Sequence, residues 1–251
     1  MVSDRVRAVI LTALPVEYEA VRRCLRDVEP RVHLGSHYET GVFDPEAGPS
    51  WEILIAEIGA GNATAAAEAE RAIQYFEPNV ALFVGVAGGV KDVALGDVVI
   101  ADRIYGYHAG KAKEEFETRP DVGQAGYEIT QAAMACSRDW NRNPARSCST
   151  RVAPIAAGEQ VIASTKSPVF AFLKRCYGNA LAVEMEGRGF LAATRMNANV
   201  QALVVRGISD LIDGKAVADE SGSQDRAAEN AATFAMTVLA RYAAGKTPNP
   251  P

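Results

Sequence analysis

Residues 79–89, NVALFVGVAGG, are apolar almost without a break and run straight into glycines. A strand with one wet face alternates apolar and polar residues, so an unbroken apolar run is covered on both faces. It therefore needs helices above and below, which points to a layered α/β chain. Residues 7–14, RAVILTAL, are a second buried run with no interior charge. Pro15 ends it, and VEYEAVRRCLRDV continues as a helix to Val28, with Pro15 just before or in its first turn. Residues 37–42 and 51–58 read as paired strands around the turn-rich DPEAGPS. Gly59, Ala60, Gly61 and Asn62 then open an alanine-rich helix that ends before Pro78. A glycine turn at a helix N-terminus can hold an anion, although this pattern alone has little specificity.

Residues 98–104 form the next strand after a Gly96-Asp97 turn, and residues 127–140 an amphipathic helix. Residues 151–155 read as a strand, and Ser167 caps a helix that begins at Pro168 and ends at Gly178. A mobile Gly/Asp/Ser-rich segment follows Asp210, then a last helix over residues 224–242 and a frayed, disordered tail, 246–251. The alternation predicts one domain, residues 1–245, with three α/β/α layers around a mixed, largely parallel sheet. Residues 104–126 are polar, with three aromatics, His108, Lys111, Lys113 and Arg119. They read either as a solvated connection or as a loop that closes over a ligand or reaches a neighbouring subunit.

Residues 181–214 concentrate the chemistry. Two short apolar runs, Ala182-Val183 and residues 202–205, each stop at a charged residue, with a helical segment between them. Sheets of this class place ligands at such strand ends. Glu184 and Glu186 flank Met185 and share a face in extended geometry, while the second strand delivers Arg206 and then Asp210. A carboxylate pair, an arginine and an aspartate can hold a sugar diol and protonate a leaving group. The same acids can instead cap the following helix or pair with a nearby arginine. Glu17, at the junction after the first strand, is likewise either a first-turn acid or a ligand-side group.

With 251 residues, a formal net charge of −5 and no Lys/Arg-dense run, a nucleic-acid partner is not expected. Cys24, Cys136, Cys148 and Cys176 lack metal-ligand spacing, and His108 has no suitably spaced partners, so neither metal nor cofactor is expected. No apolar run is long enough to span a membrane, and the N-terminal run is too short for a secretory signal, so a cytoplasmic protein is expected.

VEMEG, followed by VVRGISD in the next strand, resembles the signature of the nucleoside phosphorylase and nucleosidase superfamily. The likeness is closest to methylthioadenosine/S-adenosylhomocysteine nucleosidases and to the nucleosidase domains of bacterial immune effectors. It covers residues 7–242 and includes, in family order, the acidic segment at Glu17 and GVAGG with GDVVIAD. The resemblance implies a curved or barrel-like central sheet, a homo-oligomer, and cleavage of a purine N-ribosidic bond in an adenine nucleoside or nucleotide. It implies Asp210 as general acid, oriented by Ser209, and Glu17, steadied by Arg206, as the base that activates water. Glu186 would hold the ribose hydroxyls beside Glu184, with Met185 under the sugar and Gly88 allowing close approach. Val161 and Ile162 would flank the base. Val161 stands where these enzymes stack a phenylalanine. Phe83 and Val86 stand where the phosphorylases hold phosphate with arginine and serine, and nucleosidases usually carry serine at the position of Val86 as well. Hydrolysis is therefore the expected reaction. A phosphorylase using other arginines, or a nucleotide-sensing module with slow turnover, are the alternatives, and the 5′ substituent is open.

Overall fold

The computed structural model describes residues 6–119, 121–213 and 222–245. In chain order these form β1 (Val6–Thr12), α1 (Pro15–Arg22), β2 (Arg26–His33), β3 (Ser36–Phe43), β4 (Trp51–Glu57), α2 (Asn62–Phe76), β5 (Val80–Gly89) and β6 (Val98–Gly106). There follow β7 (Gly110–Lys111), β8 (Glu117–Thr118), β9 (Val122–Gln124), α3 (Tyr127–Arg142), β10 (Thr150–Ala157) and α4 (Pro168–Cys176). Last come β11 (Ala182–Glu184), α5 (Gly187–Thr194), β12 (Gln201–Asp210) and α6 (Ser223–Ala244).

The sheet runs β2-β3-β4-β1-β5-β12-β6-β10-β11 and is parallel through its centre, from β4 across β1 and β5 to β12. β11 also pairs with β5, antiparallel, so five strands from β5 round to β11 close into a ring. This is the curved sheet that the resemblance implies. Alternation along the central strands explains the layers. Ala8, Ile10, Leu82, Val84, Leu203 and Val205 pack with α1, α3 and α6, whereas Val9, Leu11, Ala81, Phe83 and Val204 pack with α2 and α5. Both faces of β1, β5 and β12 are thus apolar, and each buried large side chain contributes about 1.5–3 kcal/mol. A third cluster, with Tyr107, Ile162, Phe170, Leu173 and Val183, seats α4. Ser167 caps that helix as expected, its Oγ accepting the Phe170 N–H at 3.1 Å.

Three local expectations are corrected. The helix after Pro15 stops at Arg22, and residues 26–33 are instead β2, antiparallel to β3. RDVEPRVH is mostly exposed at the sheet edge, where charges and a proline are tolerated, so it has no apolar period to read. β12 carries Arg206 and runs on to Asp210, since Gly207 and Ser209 keep pairing partners in β5 or lie beside them. β11 ends at Glu184, so Glu184 and Glu186 do not share one extended face. Residues 104–126 are not a plain loop: β6 runs on to Gly106, β7 and β8 form a small hairpin, and β9 pairs with β6. Of the expected mobile stretch, 211–224, residues 214–221 lie outside the described residues, as does the tail after Gly245.

Candidate active site

Several strand ends converge on one cavity. At the first, Pro15 starts α1 directly behind β1, which places Glu17 in the opening turn. Its Oε2 accepts the Ala13 and Leu14 N–H groups at 2.7 and 2.9 Å, as an acid at a helix start does. Its Oε1 accepts the Val86 N–H of β5 at 2.7 Å. Glu17 is therefore a first-turn acid that also lines the cavity.

The second strand end is β11. The chain turns at Met185 and Glu186 becomes the N-cap of α5. Glu184 folds back to accept the N–H groups of Glu186 and Gly187, at 3.0 and 2.8 Å, and pairs with Arg206 Nη2. The same Nη2 reaches Glu186 Oε2 at 3.0 Å, and Glu186 Oε1 accepts the Gly61 N–H at 3.1 Å. The glycine turn before α2 does hold an anion, and that anion is the chain's own Glu186. Arg206 is fully buried, with its guanidinium 4.6 Å from the Phe83 ring centre. Its Nη1 lies 4.0 Å from Glu17 Oε1, a longer contact than those to Glu184 and Glu186. Arg206 thus hydrogen-bonds the Glu184–Glu186 pair, while Glu17 is held by three backbone N–H groups and by the nearby charge of Arg206.

Position 85 has to be glycine for this cluster to close. A Cβ there would stand 2.3 Å from Arg206 Nη1 and 2.5 Å from Glu17 Oε1. One guanidinium faces three buried carboxylates, and removing charge from water favours the neutral acid. Burial accordingly pushes the Glu17 and Glu184 carboxyls above their ordinary value of 4.5, against the opposing pull of Arg206. The carboxylates in turn keep Arg206 firmly charged despite its burial.

The third end is β12. Its register against β5 shifts between Ile208 and Asp210, an irregularity that re-aims the side chain beyond it. Asp210 Oδ1 accepts the Ile212 N–H at 3.1 Å, and Ser209 Oγ lies 3.2 Å from Oδ2 in hydrogen-bonding geometry. A Cβ on Gly88 would come within 3.2 Å of Asp210 Oδ1, so the glycine keeps the space beside that oxygen open.

The cavity encloses about 310 Å³. Its lining includes Glu17, Gly88, Val161, Ile162, Glu184, Met185, Glu186, Ser209 and Asp210. Arg206 is the one residue of the expected set behind the wall rather than on it. Val161 sits at the rim and is 61% exposed. Among the described lining residues are four carboxylates and no lysine or arginine. Lys111 and Lys113 lie in the β7–β8 hairpin and neither they nor Arg119 line the cavity. Sequence reasoning took Val161 and Ile162 from the 158–162 segment but not Gln160, and missed the support that Asn62 gives this wall and Gly85 under Arg206. Only the GAGN turn left a trace that could have been followed, because a glycine pair at a helix start marks a close approach. Among the described residues, no group of three or more His, Cys, Asp or Glu is arranged to hold a metal ion.

Comparison with known proteins gives the chain a family. The chain is 29% identical over 236 residues to the ATP nucleosidase Cap17 of Escherichia coli (strain KTE188), covering 81% of this chain and 46% of that protein. The chain therefore spans about half the length of this relative. It is 28% identical over 166 residues to the 5′-methylthioadenosine/S-adenosylhomocysteine nucleosidase of Staphylococcus aureus (strain JH9), covering 66% of this chain and 71% of the relative. The solved nucleosidase of that name from Neisseria meningitidis, in complex with methylthio-immucillin-A, superposes with a TM-score of 0.78 at 20% identity, over 93% of this chain and 98% of that one. The model of the phosphorylase superfamily matches residues 7–240, and the chain belongs to that superfamily.

Proposed function

We propose that the chain is a purine nucleoside or nucleotide N-ribosyl hydrolase that releases free base, with adenine the favoured base. The observation that carries this reading is the ring of four carboxylates around one cavity with no cation on its described walls. Breaking the bond to C1′ leaves negative charge on the base and positive charge on the sugar. Acids of two kinds suit that split. Asp210 would give its proton to N7 of the departing purine, and water would add to C1′ while Glu17 takes its proton. The products are the base and the free sugar, so atoms and protons balance. Glu186, held by Arg206 and Gly61, has the acceptor capacity for the ribose hydroxyls, with Met185 beside it. Glu184 has both oxygens committed to its own chain, so its part is to hold Arg206 and the turn. Ala87, Val161, Ile162 and Val183 supply apolar wall for a base.

The names of the relatives support the same reaction class. A phosphorylase fits less well, since Val86 presents no hydroxyl to the cavity and Phe83 lies behind it, under Arg206. A single domain over residues 1–245, an assembly of like subunits and a cytoplasmic setting belong to the same proposal. The family match over residues 7–240 supports the first, and the resemblance supports the others. No described helix is long and apolar enough to cross a membrane.

Incubation of the wild-type chain with adenosine, methylthioadenosine, AMP and ATP should release adenine from at least one of them. Tight binding of all with no release would mark a sensing module instead. The Glu17 role also fixes a pH dependence. Its carboxyl must be ionised to act as base, and burial raises its folded value above 4.5. Activity is then lost as pH falls through that raised value, so the acid limb of kcat/KM should lie above 4.5. A limb at or below the ordinary glutamate value would remove Glu17 from the role.

A further inference from the structure

One side chain outside the reacting groups ties three walls of the cavity together. Asn62 is the first residue of α2, next to Gly61, whose N–H holds Glu186. Its Oδ1 accepts the Gly189 N–H of α5 at 2.9 Å. Its Nδ2 donates to the Gly158 carbonyl at 3.2 Å and to Glu159 Oε1 at 2.8 Å. These partners fix the amide orientation, since a flipped amide would set nitrogen against N–H and oxygen against oxygen. α2 and α5 touch backbone to backbone here, because a Cβ on Gly189 would fall 1.8 Å from the Asn62 carbonyl oxygen.

Residues 158–162 are the segment so held, and Gln160, Val161 and Ile162 within it line the cavity. Its remaining supports come from β11, where the Glu184 carbonyl accepts the Gly158 N–H at 3.1 Å, and from the end of β6. His108 Nδ1 accepts the Glu159 N–H at 3.1 Å, and Gly158 packs on Tyr107 so closely that a Cβ would stand 2.1 Å from the ring. Tyr107 and His108 hold this segment from one side and Asn62 from the other. Asn62 also accepts a hydrogen bond from the helix that Glu186 caps.

We propose that Asn62 is a positioning residue that sets the 158–162 wall, on the base side, in register with Glu186, on the sugar side. Its contribution is geometric, since Asn62 is not among the residues lining the cavity. The proposal rests on the nucleosidase reading for its kinetic consequences only.

The test is Asn62→Asp. The carboxylate still accepts the Gly189 N–H, and an acid in the first helical turn is favourable, so the fold and its melting temperature are retained. It cannot donate to Gly158, and it faces Glu159 with like charge. KM for the nucleoside should rise roughly tenfold, the scale of one lost hydrogen bond to a charged group, with kcat changed far less. Amide exchange over residues 158–162 should accelerate while the sheet is unaffected. Adding Glu159→Gln lets residue 159 donate to the new carboxylate, and should restore much of KM and protection. Unchanged exchange in Asn62→Asp, or no recovery in the double variant, would overturn the proposal. If the wild-type chain released no base, the functional reading would fail, and the exchange arm would still decide the role of Asn62.

Discussion

Asp210→Asn should cut base release by about 100-fold or more while leaving the fold intact, the usual scale for a lost general acid. The substitution removes the transferable proton and can keep the contacts to Ile212 and Ser209. The asparagine oxygen can still accept the Ile212 N–H, and its amide can donate to the Ser209 hydroxyl, which rotates to accept. The β12 irregularity and the open space at Gly88 belong to the backbone and do not change. Adenine release under single-turnover conditions, read alongside a melting curve, separates chemistry from folding. Near-normal turnover in a folded Asp210→Asn chain would assign the proton to another group.

The second large effect is on stability. Arg206→Met should destabilise the chain by about 3–5 kcal/mol, because removing one partner of a buried ion pair leaves uncompensated charge. Here the charges left behind are Glu184 and Glu186, both nearly inaccessible to water. In a chain of this size the melting temperature should fall by roughly 6–20 °C. A second change tests the cause. Glu184→Gln in the same chain removes one stranded charge and should recover part of the loss, giving a favourable coupling energy. The pH dependence has a definite sign. Burial raises the Glu184 carboxyl above 4.5 in the fold, so the folded state binds this proton more tightly than the unfolded chain. Lowering the pH through that raised value towards 4.5 neutralises the stranded acid, and the deficit of Arg206→Met should shrink. A loss under about 1 kcal/mol, or one that grows on acidification, would show that the cluster is solvated rather than buried.

The strands that carry the core were legible because their cause is local. An unbroken apolar run such as residues 79–89 has to be covered on both faces. β2 was not legible, since its place is set by pairing with β3 and its own residues bury almost nothing. The site divides in the same way. Glu17, Arg206 and Asp210 announce themselves as charges beside apolar strands, and β1, β5 and β12 bring their ends together. What Arg206 touches depends instead on the turn at Met185, the glycine at 85 and the approach of α2, which are distant in sequence. For the same reason Glu184 and Glu186 converge on one guanidinium although they do not share a strand face.

The proposed reaction has water, not phosphate, attack the sugar. A phosphate beside one of these carboxylates, at about 4 Å and an effective dielectric near 20, is opposed by roughly 4 kcal/mol per charge pair. Water meets no such penalty and can be deprotonated by Glu17. The most direct measurement is the identity of the sugar product from wild-type turnover, with and without added phosphate. Free ribose, or its 5′-substituted form, should appear at the same rate in both cases. Ribose 1-phosphate, formed at a rate that climbs with phosphate concentration, would contradict it.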